Sequence, residues 1–248
     1  MHTKNARRPC QFSELHSSYN LSVKEIEKVF VRPRISTLDN KLREFQFKML
    51  YKIVYVNRYL YRFHFILSDK CSFCGKEEET YRHIFFECEM VRKLWDQCSD
   101  SLDIPILKDM SWKEVHIGLD EITEDRQMIN HVVLLIKYIL IFISREKKKP
   151  PSIEEIREKI FKSKQEERKS ATERNTLTLH YKKWEHLKVN MDNMQENARD
   201  EERGGLPGSQ LCVIDRSRFV FFFFFFFFFC CLFCFLFLFC VCSCWFCF

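Results

Sequence analysis

Turn-forming residues are scarce: five glycines and six prolines in 248 residues. An all-β protein needs a turn at the end of every short strand, so that class is excluded, and so are collagen-like and proline-rich disordered chains. An apolar h-region is missing from the basic, polar stretch Met1 to Cys10. No secretory signal is therefore expected, and the cysteines of the body belong in a reducing compartment, nuclear or cytoplasmic. The body also has no Gly-rich phosphate loop, no HExxH, no GxSxG and no pair of aspartates in a two-metal setting. Asp96, Asp100 and Asp103 follow one helical face and read as its solvated side. No catalytic role of its own is expected, and no internal repeat is found. Charge is wholly missing from residues 219 to 248, which hold 16 of the 27 Phe and 7 of the 13 Cys.

What is there divides accordingly. Residues 1 to 218 carry all 40 Lys/Arg and all 34 Asp/Glu, a net +6 that suits a soluble domain meeting polyanions but falls well short of a histone-like charge. Their pattern is mainly α. Capping boxes at Ser22/Glu25, Ser111/Glu114 and Ser152/Glu155 announce three helix starts. The first helix is expected to run to about Phe30 and to stop at Pro33. From Thr37, Leu38, Leu42, Phe45, Met49, Ile53 and Val56 lay one stripe down a long helix, and Val91, Leu94, Trp95, Cys98 and Leu102 form a second, ending near Pro105. A longer helix from about Glu124 to Glu146 is apolar on most of its circumference. Its apolar run, Val132 to Ile143, is shorter than the ~20 residues a bilayer needs and contains Lys137, so it reads as a buried core helix. Ile153, Ile156 and Ile160 share a face of the next helix, and a last amphipathic piece reaches Trp184. The expected organisation is a flexible N-terminus 1–21, a helical metal-binding module 22–110, a helical extension 111–189, a disordered linker 190–218 and a Phe/Cys tail 219–248.

One constellation carries chemistry. Cys71-Ser-Phe-Cys74-Gly75 is a CxxC turn in which two thiolates converge and the glycine lets the backbone turn sharply behind them. His83 and Cys88 complete a C-x2-C-x8-H-x4-C pattern, a closed Cys₃His set with no coordination position left for a catalytic water. Thr80 is placed to cap a short helix carrying His83. A tetrahedral N/S set without a redox role takes zinc in preference to copper or iron. Cys10, Cys98 and Cys212 lack such partners, and His64 reads as a packing residue in an aromatic stretch.

At these residues the chain resembles a known family. Lys41-Leu-Arg-Glu-Phe-Gln-Phe-Lys48, Asn57, Leu60, the CxxC, Glu78-Glu79-Thr80, His83-Ile-Phe-Phe-Glu-Cys88 and Trp95 are similar to the C-terminal zinc-binding region of reverse transcriptases from LINE-type (non-LTR) retrotransposons. Ile129-Asn130-His131, Lys137-Tyr138, Pro150-Pro151 and His180-Tyr-Lys-Lys-Trp184 look like its continuation, so the resemblance covers roughly residues 20–186. It implies a fragment, because that region follows a polymerase whose aspartate motifs are not found here. It also implies zinc at Cys71, Cys74, His83 and Cys88.

The expected partner is RNA or DNA, bound without strong sequence preference. Arg32 and Arg34, with the alternation Tyr55, Arg58, Tyr59, Tyr61, Arg62 and Phe63, offer rings on which bases can stack and cations to meet phosphate. The same residues also read as aromatics packed under the zinc loop with snorkelling arginines, and both readings stand open. A zinc-shaped protein-interaction module and a tail-anchored membrane protein are the other classes. The tail is long enough to span a bilayer, but nine consecutive Phe followed only by Cys, Leu, Val, Ser, Trp and Phe are what a translated T-rich tract yields. Low-complexity read-through is therefore favoured over an evolved anchor.

Overall fold

The computed structural model describes residues 10–120, 123–146, 149–185 and 187. Among them the chain is helical, with a single antiparallel β-bridge, Lys70 to Glu78, outside the helices. The helices are α1 (Cys10–Tyr19), α2 (Val23–Ser36), α3 (Asn40–Leu50), α4 (Asn57–Arg62), α5 (Glu89–Leu102), α6 (Ile106–Asp109), α7 (Trp112–Ile117), α8 (Glu124–Glu146), α9 (Ile153–Glu173) and α10 (Leu177–Trp184). A π-helical turn, His83–Glu87, precedes α5.

Each expected capping box is present. Ser22, Ser111 and Ser152 accept from the backbone N–H three residues on, and Glu25, Glu114 and Glu155 reach back to the cap. The ends at Glu146 and Trp184 are as expected, whereas those of α2 and α3 differ. The stripe from Thr37 does not form one long helix: α3 stops at Leu50, because Ile53 donates to the Lys48 carbonyl at 2.8 Å and Lys52 to that of Met49 at 3.0 Å. Those two bonds are a Schellman motif with Lys52 left-handed at φ 54°. Val56, the last residue of the stripe, is still fully buried, but from a loop.

His64 closes α4 in the same way, with φ 59°, the Phe65 N–H on the Leu60 carbonyl at 2.9 Å and its own N–H on that of Tyr61 at 3.0 Å. Its side chain is exposed, so the core-packing role expected of it is corrected to a backbone one. Asp103 and Asn175 end α5 and α9 with positive φ as well. Conversely, α2 runs through Pro33 to Ser36. An internal proline costs ~3 kcal/mol in an isolated helix. Here tertiary contacts on both sides offset it: Arg32 donates to the Ile117 carbonyl, and the Ser36 carbonyl accepts from Lys183.

The described residues lie in one compact unit, Met1–Met191. Its main core joins Leu42, Phe45, Ile84, Phe85 and Trp95 to Val132, Ile136, Leu140, Ile156, Ile160 and Trp184. Helices on either side of 110/111, the expected module and its expected extension, bury their apolar faces against each other. The expected flexible N-terminus is corrected for its described part. In α1, Leu15 packs with Leu21, Ile26, Val29, Leu50 and Ile117 in a second cluster.

Helix α8 is long and apolar enough to cross a membrane, yet 72% of its most apolar window is buried among the other helices, as expected of a core helix. The readings for 190–218 and 219–248, and Cys212, lie outside the described residues.

Candidate metal centre

The backbone brings the four expected ligands together by local means. Gly75, at φ 66°, donates to the Cys71 carbonyl at 2.9 Å and closes the CxxC turn, and the Phe73 N–H points at Cys71 Sγ at 3.4 Å. The bridge from Lys70 to Glu78 returns the chain, with Cys71 donating to the Glu77 carbonyl at 2.8 Å. Thr80 Oγ1 accepts from the His83 N–H at 3.0 Å, which is the cap expected of it. The x4 spacing then becomes a π turn: Cys88 donates to the His83 carbonyl at 2.8 Å, an i→i+5 bond that sets histidine and cysteine on the same side.

The four ligand atoms all lie within 4.8 Å of one another. Cys71 Sγ and Cys88 Sγ are 3.9 Å apart, and Cys74 Sγ and His83 Nε2 are 3.3 Å apart. Zinc–sulfur bonds of about 2.3 Å and zinc–nitrogen bonds of about 2.0–2.1 Å place tetrahedral neighbours roughly 3.5–3.8 Å apart, so the donor set fits. Cys71, His83 and Cys88 are buried, and Cys74 is half-buried. Cys88 is the N-cap of α5. A hydrogen bond from the Cys71 thiol, aided by the N–H groups of Val91 and Met90, lowers the Cys88 pKa, while the same bond and burial push that of Cys71 up. Bound zinc would crosslink the CxxC turn, the π turn and the start of α5, and a closed four-ligand set assigns it a structural part.

Surrounding side chains fix this loop to the helices. Phe85 is fully buried and meets Phe45 of α3 edge-on at 6.4 Å, and Phe45 in turn meets Tyr138 of α8 at 5.5 Å. Trp95 donates to the Phe85 carbonyl at 2.9 Å, and Phe86 leans on Trp112 of α7. Glu79 has no exposed surface. Its carboxylate accepts from the N–H of Asn57 at 2.9 Å, the N–H of Ser72 at 2.8 Å and the Ser72 hydroxyl at 2.7 Å, and lies 3.5 Å from Arg145. Arg145 also binds Asn57 Oδ1 at 2.7 Å and the Tyr55 carbonyl. Neither role was legible in the sequence. Glu79 is one of three consecutive glutamates, and Arg145 reads as an ordinary cation at a helix end.

Of the arginines expected to meet phosphate, Arg32 is corrected. It is only 4% exposed, paired with Asp120 and bonded to the carbonyls of Ile117 and Gly118. Arg34, Arg58 and Arg62 are exposed. So are Tyr55, Tyr61, Phe63 and Phe65, at 46–60%, whereas Tyr59 is half-buried beside Tyr81. Cys98 is a buried free thiol whose pKa burial raises to about 12.

Residues 14–95 match a family model described as zinc-binding in reverse transcriptase, and all four ligands fall inside the match. Searches of curated proteins and of solved structures gave no match.

Proposed function

We propose that this chain is the zinc-built C-terminal module of a LINE-type reverse transcriptase, and that it binds single-stranded RNA or DNA with little sequence preference. The observation that carries the reading is the exposure of Tyr55, Tyr61, Phe63 and Phe65 beside Arg58 and Arg62, on and around α4. Aromatics packed under a zinc loop would be buried, and these are in solvent. Large exposed rings alternating with cations form a stacking platform that every base can use. Zinc acts at one remove, since Glu79 ties the ligand loop to the first residue of α4 and holds that platform in place. The module acts without catalysis of its own, in a reducing compartment where thiolate ligands persist.

Anisotropy of a fluorescein-labelled oligouridylate or oligothymidylate, titrated with the zinc-loaded chain, tests this. Dissociation constants in the ~10⁻⁴–10⁻⁶ M range and a steep loss of affinity with added salt are expected. The paired change Tyr61→Ala/Phe63→Ala should weaken binding by about tenfold or more while zinc content is unchanged. Affinity indifferent to salt would replace the nucleic acid with an apolar protein partner on the same rings.

A further inference from the structure

A cleft of about 400 Å³ opens between α1, the turn after α3, the start of α4, the zinc loop and α7. Its floor is aromatic. Trp112 lies nearly parallel to His116, 10° between planes and 5.0 Å between centroids, and the Tyr19 hydroxyl meets His116 Nδ1 at 2.8 Å. Burial, with the charges of Lys137 and Lys52, lowers the His116 pKa to about 3, so the imidazole is neutral and stacks face to face on the Trp112 ring. Tyr59 supplies a further ring.

Its rim is basic. Lys52, Arg58 and Arg82 come from three separate segments, with side chains 43%, 45% and 58% exposed. Each pairs with one glutamate, Glu14, Glu78 or Glu87, but of those three carboxylates only Glu14 lines the cleft. A guanidinium has five N–H donors and an ammonium three, so one carboxylate leaves donors over for an anion.

Flat rings below and cations above select a ligand that is planar at one end and anionic at the other. The volume, near the small end of the ~300–1,000 Å³ usual for small-molecule sites, admits one nucleotide and no duplex. Helix α4 links this cleft to the stacking platform, because Arg58 and Tyr59 line the cleft while Tyr61 and Arg62 stand on the same helix.

We propose that the cleft takes one unpaired nucleotide of a bound strand, its base lodged against the Trp112–His116 stack and its phosphate at the Lys52–Arg82 rim. The proposal rests on the single-strand reading above for the strand, and the cleft itself can be probed with a free nucleotide. It gives the module a pocket that recognises an unpaired base, where a platform alone would treat all stretches of strand alike.

The test is a titration of the zinc-loaded full chain with adenosine 5′-monophosphate, followed by NMR at the His116 and Trp112 side chains, with adenosine and inorganic phosphate as separate probes. Saturable shifts with the nucleotide are expected, and weaker ones with either half alone. The double change Lys52→Gln/Arg82→Gln should weaken nucleotide binding about tenfold, the worth of a lost charged hydrogen bond. Because Arg82 adjoins His83, zinc content is measured alongside, and Lys52→Gln alone should act in the same direction. The platform change Tyr61→Ala/Phe63→Ala should leave nucleotide binding within about twofold.

Nucleotide binding unaffected by Lys52→Gln/Arg82→Gln overturns the cleft assignment. A chain that binds oligouridylate but gives no shift with the nucleotide overturns it too, and leaves the platform standing. A chain that binds the nucleotide in this way but no strand upholds the cleft and overturns the platform.

Discussion

The Cys88 N–H lies 2.8 Å from the His83 carbonyl, a bond that closes one π turn around two of the four metal ligands. An α-helical turn would bring residues three or four apart together, whereas ligands five apart need the wider ring. The widening is supported from behind, where Ile84 and Phe85 are fully buried and Trp95 grips the Phe85 carbonyl.

Replacing Cys88 with serine should abolish tight zinc binding. Apparent zinc-binding energies of finger-like sites, ~10–16 kcal/mol, rival the ~5–15 kcal/mol total stability of a domain, so the loop 71–88 should lose its order as well. Elemental analysis of purified chain should find one zinc in the native protein and none retained by Cys88→Ser after dialysis. Equal zinc in both would remove Cys88 from the site.

Trp95 is expected to matter twice, as buried volume and as a donor. Trp95→Ala should cost ~3–5 kcal/mol, with a lower melting temperature. Trp95→Phe keeps most of the volume but strands the Phe85 carbonyl, at ~1–3 kcal/mol, and should also weaken zinc binding in a chelator competition. A Trp95→Ala chain that melts as the native one does would show that this ring carries no packing load.

Glu167 centres a buried polar network. It accepts from Lys183 at 2.8 and 2.9 Å, from Trp184 Nε1 at 2.8 Å and from the Leu38 N–H at 3.0 Å. Burial alone would raise its pKa, but its contacts with His131 and with the charge of Lys183 outweigh that and hold it down. Glu167→Gln leaves Lys183 charged and buried without a counter-ion, and should cost ~3–5 kcal/mol. Adding Lys183→Met to it should recover part of that loss in urea denaturation. If the double variant is less stable than the sum of the single losses, the two residues are not a compensating pair.

Lys137 is fully buried and hydrogen-bonded to Gln46 Oε1 and the Val115 carbonyl, both at 2.8 Å. Burial lowers its pKa from 10.5 to about 7. Between those values the unfolded chain binds the extra proton, so this residue makes stability rise as pH climbs from about 7 to 10.5, and its penalty is complete below the folded value. Native stability relative to Lys137→Met should therefore increase by a few kcal/mol between neutral and alkaline pH. Zinc ligation titrates equally in both chains and cancels in the difference. A difference independent of pH would mean that Lys137 stays charged in the fold.

The ligand set and the helix starts were legible because both are local. A CxxC, a histidine and a cysteine at fixed spacing need only a turn to converge, and a serine followed three residues on by glutamate satisfies its own N–H groups wherever it occurs. The ends of α8 and α10 were legible too, but those of α2 and α3 were not. With Gly75 and Gly118 the only glycines among the described residues, the chain closes α3, α4, α5 and α9 on Lys52, His64, Asp103 and Asn175 in left-handed backbone. A lysine or a histidine is not read as a stop, because nothing local makes it prefer that conformation. The surrounding burial does: carrying α3 straight on would forfeit the loop that places Val56 in the core and Asn57 on Glu79. Long-range pairing likewise chose the fate of the arginines. Arg32 and Arg34 are two residues apart in sequence, yet one is buried and paired with Asp120 and the other faces solvent, a difference set by the chain that folds across α2 and by nothing within it.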